Sequence, residues 1–443
     1  MRIQLSDHFT YRKLIRFVIP SIIMMIFTSI YSVVDGLFIS NFAGKTAFAA
    51  INLIFPPFMI LGALGFMLGV GGTAVVAQTF GMGEKERANR YFSLIIYATI
   101  VLGFSVTLIG QLIIPYVATW LGAEGQMYKD CITYGRIFLC GVPFFMLQNA
   151  FQSFFVTAEK PKLGLFVTVG AGCMNIILDA LFVAVFQWGL VGAGFATLLS
   201  QISGAVVPFI YFARKNDSLL RLGKTNFDGK MLLKSCSNGL SEFMSNISSS
   251  VVTMLYNAQL MRFAGEDGIA AYGVIGYVSF IFAAIFYGYS IGSSPIVGFH
   301  YGADNPPELK NMVRKSTVLM LGTGIAMTVS SILLARPMAS IFVSYDAALL
   351  SLTTRALAIY SIHFILGGIV VYASAFFTAL GNGIISAVIS FSRTFLFEGG
   401  CVLLLPLILD IDGIWFAMVA ADFLTFLVVL DFFFTQRNRY KYF

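Results

Sequence analysis

Long apolar blocks alternate with short polar segments along the chain. A run of about twenty apolar residues is long enough to cross a bilayer as a helix. Twelve such spans are predicted, at 15–40, 47–80, 91–117, 132–157, 164–186, 191–213, 236–261, 268–300, 316–336, 356–380, 384–409 and 413–435. The first is read as a span and not as a cleavable signal, because it is too long and carries Pro20 and Asp35. The longest polar stretch, 214–230, is basic and lies near mid-chain, which marks a linker. The expected organisation is a six-span half over 1–213, a cytoplasmic linker over 214–235 and a second six-span half over 236–443.

The polar segments also orient the chain. With the N-terminus inside, the inner segments hold 21 Lys and Arg, whereas the outer loops and helix ends hold 6. The positive-inside rule then places both termini in the cytoplasm. Hydrophobic residues make up 58% and charged residues 11%, too few charges to solvate a globular surface. The formal net charge of +7 sits in short loops on one side, so it does not point to nucleic acid. Cys131, Cys140, Cys173, Cys236 and Cys401 fall in or beside apolar blocks without a CxxC pair, so they read as packing residues and not as a disulfide framework or zinc site.

The two halves repeat. Shifting the chain by 221 positions lays 43–81 on 264–302 with ten identities in 39 positions and no gap. The same shift lays Thr157–Ala158 on Thr378–Ala379, and Gly192 on Gly413. Each half has an even number of spans, so both enter from the same side. The fold class expected is therefore an all-α polytopic membrane protein with twelve transmembrane helices. Its two six-helix lobes are related by a pseudo-two-fold axis along the membrane normal, with a cleft between them.

Ionisable groups inside spans cost roughly 2.5–3.5 kcal/mol on insertion scales, so each needs a reason. Asp35 lies near the outer end of span one; Asn175 and Asp179 share a face of span five; Thr197 lies early in span six. Counting 1.5 Å per residue puts Asp35, Asp179 and Thr197 roughly 8–11 Å deep and Asn175 about 16 Å deep. Such oxygens can nest Na⁺ or act as a proton-binding pair. The repeat replaces them with Tyr256, Leu396, Gly400 and Met418, so a purely structural role is disfavoured. The second half has its own in-span ionisables, Glu242, Arg393, Glu398 and Asp422. Arg393 and Glu398 are expected to pair as a bridge, or Glu398 or Asp422 to attract a cationic substrate, with Glu242 wetted near a helix end. His300 and His363 read as polar packing residues. Glycine clusters such as 69–72 lack the Lys-Ser/Thr of a phosphate loop, and no protease, kinase or nucleophile-elbow pattern is present, so no enzyme is expected.

Pro20 with YSVVDGLFIS (31–40), FGMGEKERA (80–88), NIILDALF (175–182), NGLSEF (238–243), AGEDGIAAYGVIGY (264–277) and FHYGADNPPELK (299–310) together resemble the multidrug and toxic compound extrusion (MATE) family, in its MepA-like bacterial branch. The resemblance implies a two-lobed V and efflux of drugs, often organic cations, driven by Na⁺ or H⁺ without a cofactor, from the bacterial inner membrane. It carries the cation site onto Asp35, Asn175, Asp179 and Thr197, with Asn149 as a neighbour that the depth count puts further inward. Some branches place acidic residues on spans seven and ten; here span seven has Glu242 and span ten only His363, which favours coupling in the first lobe. The expected partners are small molecules and the bilayer, with the chain acting as a monomer. A lipid-linked oligosaccharide flippase of the same broader fold group is the alternative, although Arg393 is the one deeply placed Arg. A major-facilitator transporter lacks support because TFGMGEKERANRYF does not fit that family's loop after span two. A channel or receptor is disfavoured by the duplicated halves and the one-sided acidic site.

Overall fold

In lipid, backbone N–H and C=O groups must be satisfied within the protein, so apolar blocks of this length fold as helices. The computed structural model describes residues 3–38, 45–344 and 346–442. The last two residues of the first predicted span, 39–40, and the start of the repeat at 43–44 lie outside the described residues. The first half comprises α1 (Tyr11–Phe38), α2 (Lys45–Gly81), α3 (Lys85–Trp120), α4 (Gly125–Thr157), α5 (Pro161–Asp179) with a π-helical turn at Ala180–Val185, and α6 (Gly189–Ala213). The second half begins with α7 (Gly229–Asn238), α8 (Leu240–Gly302), α9 (Pro306–Leu333), α10 (Ala335–Val343) and α11 (Ala347–Tyr360). A 3₁₀ turn at Ser361–His363 leads into α12 (Phe364–Ala379). Then come α13 (Gly383–Phe391), a π-helical turn at Ser392–Glu398, α14 (Gly399–Leu404) and α15 (Pro406–Tyr440).

Among the described residues, eleven helical stretches are long and apolar enough to cross a membrane. The twelfth is contained in α8. Its 63 residues would measure about 95 Å if straight, three times a bilayer's hydrocarbon thickness. The chain doubles back at Gly265 (φ 61°, ψ −145°), a positive-φ conformation that favours glycine, so α8 is two antiparallel spans. The seventh span begins later than predicted. Residues 229–238 form the separate helix α7, whose Met231 and Ser235 are buried, and α8 starts at Leu240. The tenth begins earlier, at Ala347, where Asp346 accepts from the Ala348 and Leu349 N–H groups as an N-cap.

The repeat is visible in the backbone. Gly83 (φ 82°) and Asp304 (φ 47°) close equivalent turns 221 residues apart, as do Gly189 (φ 53°) and Asp410 (φ 49°). It is visible in the packing as well. A Cβ on Gly81 would collide with the Phe299 carbonyl, and one on Gly302 with the Gln78 carbonyl. Those four positions are two pairs at the 221 offset, so the contact is reciprocal about a pseudo-two-fold axis. Gly71 against Gly239 and Gly292 against Val18 repeat the relation one layer away.

These approaches lie at the end of the bundle that carries the described residues nearest both termini. There one apolar core draws on both halves, joining Leu5, Phe9, Phe17 and Val18 to Val297, Met312, Phe364 and Phe376. At the far end the cores separate. One contains only first-half residues, among them Ile54, Phe58 and Phe138; the other contains only second-half residues, among them Val252, Tyr256 and Trp415. The two halves thus share a core at the terminus-bearing, fused end and keep separate cores at the other.

Residues 3–10 cross the fused end as a strap. The Leu5 N–H donates to Glu159 Oε1 (2.8 Å) in the first half. The Phe9 N–H donates to Glu308 Oε1 (2.9 Å) in the second, and His8 Nδ1 lies 2.6 Å from Glu308 Oε2. Asn311 and Lys315 both donate to the Phe9 carbonyl.

Candidate functional site

Asp35 and Asp179 meet in the first lobe. Small residues make this possible: Gly172 on α5 presses against Phe27 and Tyr31 of α1, and Ser200 of α6 donates to the Ala171 carbonyl at 2.8 Å. The two carboxyl groups are close enough to share a proton. Asp179 is 0% exposed and Asn175, one turn away on the same face, 2% exposed. Asp179 is also the last α-helical residue before the π-turn Ala180–Val185, a local widening that recurs at functional sites.

Asp35 Oδ1, both Asp179 oxygens, Asn175 Oδ1 and Thr197 Oγ1 are buried with no hydrogen-bond partner. Buried polar atoms are nearly always paired, and each unpaired one costs about 1–3 kcal/mol. Five such oxygens lie in the first lobe. Carboxylate, amide and hydroxyl oxygens are the donor set that a hard monovalent cation or a proton takes.

Tyr134 of α4 completes the group. It is 2% exposed and lies beside Asp35, Asp179 and Thr197. The sequence pattern gave no sign of it. Asn149, by contrast, is not brought to the pair: it lies about 22 Å inward of Tyr134 along α4, and its Nδ2 donates to the Gly62 carbonyl of α2 at 3.5 Å.

The second lobe holds a different polar cluster. Arg393 does not bridge to Glu398. Its Nε donates to Asp422 Oδ1 (2.6 Å) and its Nη2 to Asp422 Oδ2 (3.3 Å). Asp422 is 0% exposed, and a carboxylate buried so completely needs a counter-charge. His363 packs there as a polar residue, its Nδ1 3.1 Å from Asp422 Oδ2. Both Asp422 oxygens are thus engaged within the protein. Glu398 ends the π-turn and faces Tyr256, Tyr272 and Tyr360. Tyr256 stands at the repeat position of Asp35, so the second lobe puts an aromatic ring where the first puts a carboxylate. Glu242 is half-buried and within electrostatic reach of Tyr287, which adjoins Arg393. His300, buried at the fused end, contacts Asn305 through Nδ1 (3.3 Å).

The multidrug export protein MepA of Staphylococcus aureus is 24% identical over 377 residues, covering 84% of this chain and 82% of that protein. The MepA of Staphylococcus saprophyticus is 24% identical over 374 residues. A multidrug resistance MATE family transporter of the MOP superfamily, solved in an outward-facing conformation, superposes with a TM-score of 0.93 at 24% identity, covering 99% of this chain and 98% of that one. A MOP superfamily transporter from Pyrococcus furiosus superposes with a TM-score of 0.89 at 23% identity, covering 98% of this chain and 97% of that one. The MatE family profile matches residues 20–181 and 243–398, more than half of the sequence, and the chain is a member of the MatE family.

Proposed function

We propose that the chain is a secondary antiporter of the bacterial cytoplasmic membrane that exports small organic compounds, often cationic and aromatic, in exchange for Na⁺ or H⁺. The observation that carries the reading is the set of unpartnered buried oxygens on Asp35, Asn175, Asp179 and Thr197. The excess of Lys and Arg at the fused end supports placing both termini in the cytoplasm. The end with separate cores then faces outward. A cation arriving from outside enters the far half of the first lobe, where two carboxylates held apart from water repel each other until it binds.

A cation drives the cycle only through different affinity for two states. Occupation of the Asp35–Asp179 pair draws α1, α5 and α6 together and favours the form that has released substrate outward. The cycle returns when the fused end parts and substrate enters from the cytoplasmic side. Glu242, Glu398 and their tyrosines supply negative charge and aromatic faces suited to an organic cation. The flippase alternative needs a cationic cavity, and Arg393 is neutralised by Asp422.

The test is dye efflux from cells and counterflow in proteoliposomes, with Na⁺ and pH varied separately. Asp35→Asn and Asp179→Asn are each expected to cut cation-driven efflux at least ten-fold at normal expression. Efflux at the wild-type rate in both variants would remove the pair from the mechanism.

A further inference from the structure

A groove of about 620 Å³ runs on the lipid-facing side of the first lobe between α3, α4 and α6. Its walls include Phe104, Leu108 and Phe195, all exposed. Two polar side chains tie the walls: Gln111 Nε2 donates to the Arg136 carbonyl at 2.9 Å, and Thr107 Oγ1 to the Leu139 carbonyl at 2.7 Å. Both bonds are spent on α4 backbone.

Arg136 is the group left over. It is exposed, lines the groove, and makes no ion pair among the described residues. It stands four residues inside the predicted span 132–157, about 6 Å from the outer end of that span. Side chains lean toward a helix's N-terminus, which for α4 is the far surface, so the guanidinium reaches up toward the headgroups while its stem stays in the apolar layer. An arginine near the end of a span carries its charge to the headgroup layer, and its planar fork matches the oxygens of a phosphate. The repeat gives the contrast: the equivalent position is Leu357, fully buried.

We infer that this groove seats one phospholipid of the far leaflet, its phosphate on Arg136 and an acyl chain along Phe104, Leu108 and Phe195. Charge complementarity sets the occupant. A neutral apolar molecule would leave the guanidinium without a partner, and a free anion would leave the apolar walls bare.

Native mass spectrometry of the detergent-purified full chain tests it, with phosphatidylglycerol, phosphatidylethanolamine and a diacylglycerol of identical chains as probes. The wild type is expected to retain one phospholipid at least ten-fold better than Arg136→Gln, whereas diacylglycerol dissociates from both alike. Phe104→Ala with Leu108→Ala, which keeps the charge, is expected to weaken retention as well. Unfolding temperatures of the variants, matched to wild type, separate a lost seat from a lost fold. Equal retention by Arg136→Gln, or diacylglycerol held as well as phospholipid, would overturn the seat. So would displacement of the lipid by millimolar inorganic phosphate, which would make the site one for a free anion.

Discussion

Tyr134 places a phenolic hydroxyl beside both carboxyl groups and Thr197, in a pocket from which water is excluded. Phenylalanine would keep the ring packed between α2 and α4 and remove that one oxygen. Tyr134→Phe is therefore expected to fold normally and to raise the Na⁺ or H⁺ concentration needed for half-maximal efflux several-fold. That figure corresponds to about 1 kcal/mol for a single lost polar contact. An unchanged cation dependence would exclude Tyr134 from the site. The other members were legible in the sequence because a carboxylate or amide inside an apolar block stands out against its neighbours. Tyr134 is one of nineteen tyrosines, and an aromatic ring in a span looks like packing until its neighbours are known. The Arg393–Asp422 pair was hidden for a related reason: its members stand 29 positions apart on different spans, while Glu398, close by in sequence, offered itself as the nearer partner.

Among the elements, spans were readable and breaks were not. Hydrophobic length marks where a helix crosses, but the reversal at Gly265 and the π-turns after Asp179 and around Arg393 depend on backbone geometry that composition does not record. The strap of residues 3–10 escaped notice because it precedes the first apolar block. Its chemistry is nonetheless decisive at the fused end, since Glu159 and Glu308 belong to different lobes and hold the same short segment. When the lobes part there, one anchor must release. Glu308→Ala leaves the buried Phe9 N–H without its acceptor, at a cost of about 1–3 kcal/mol to the closed form. The expected outcome is roughly ten-fold or greater labelling of a cysteine placed at Ser235, which is 0% exposed against Gly71 of the first lobe, read by maleimide reactivity in membranes. Labelling at the wild-type rate would mean that the strap does not bias the closure.

For the whole molecule, the reciprocal packing of Gly81 and Gly302 is the feature that ties duplication to motion. Each glycine lets the other lobe's backbone approach, and the two contacts are the same contact viewed from either side of the pseudo-two-fold axis. A valine at either position cannot be accommodated by side-chain adjustment, because the obstructing atom is a carbonyl oxygen. Gly302→Val and Gly81→Val are each expected to hold the fused end apart and reduce efflux at least ten-fold. Spin-label distances across that end should lengthen while those within each lobe stay fixed. Because both valines obstruct one interface, their effects are expected not to add: the double variant should resemble either single one, as coupled neighbours do and independent sites do not. Fully additive losses would show two unrelated defects, and lengthening within a lobe would show damage to the fold. Unchanged distances with normal efflux would mean that closure at this end does not depend on the glycine pair.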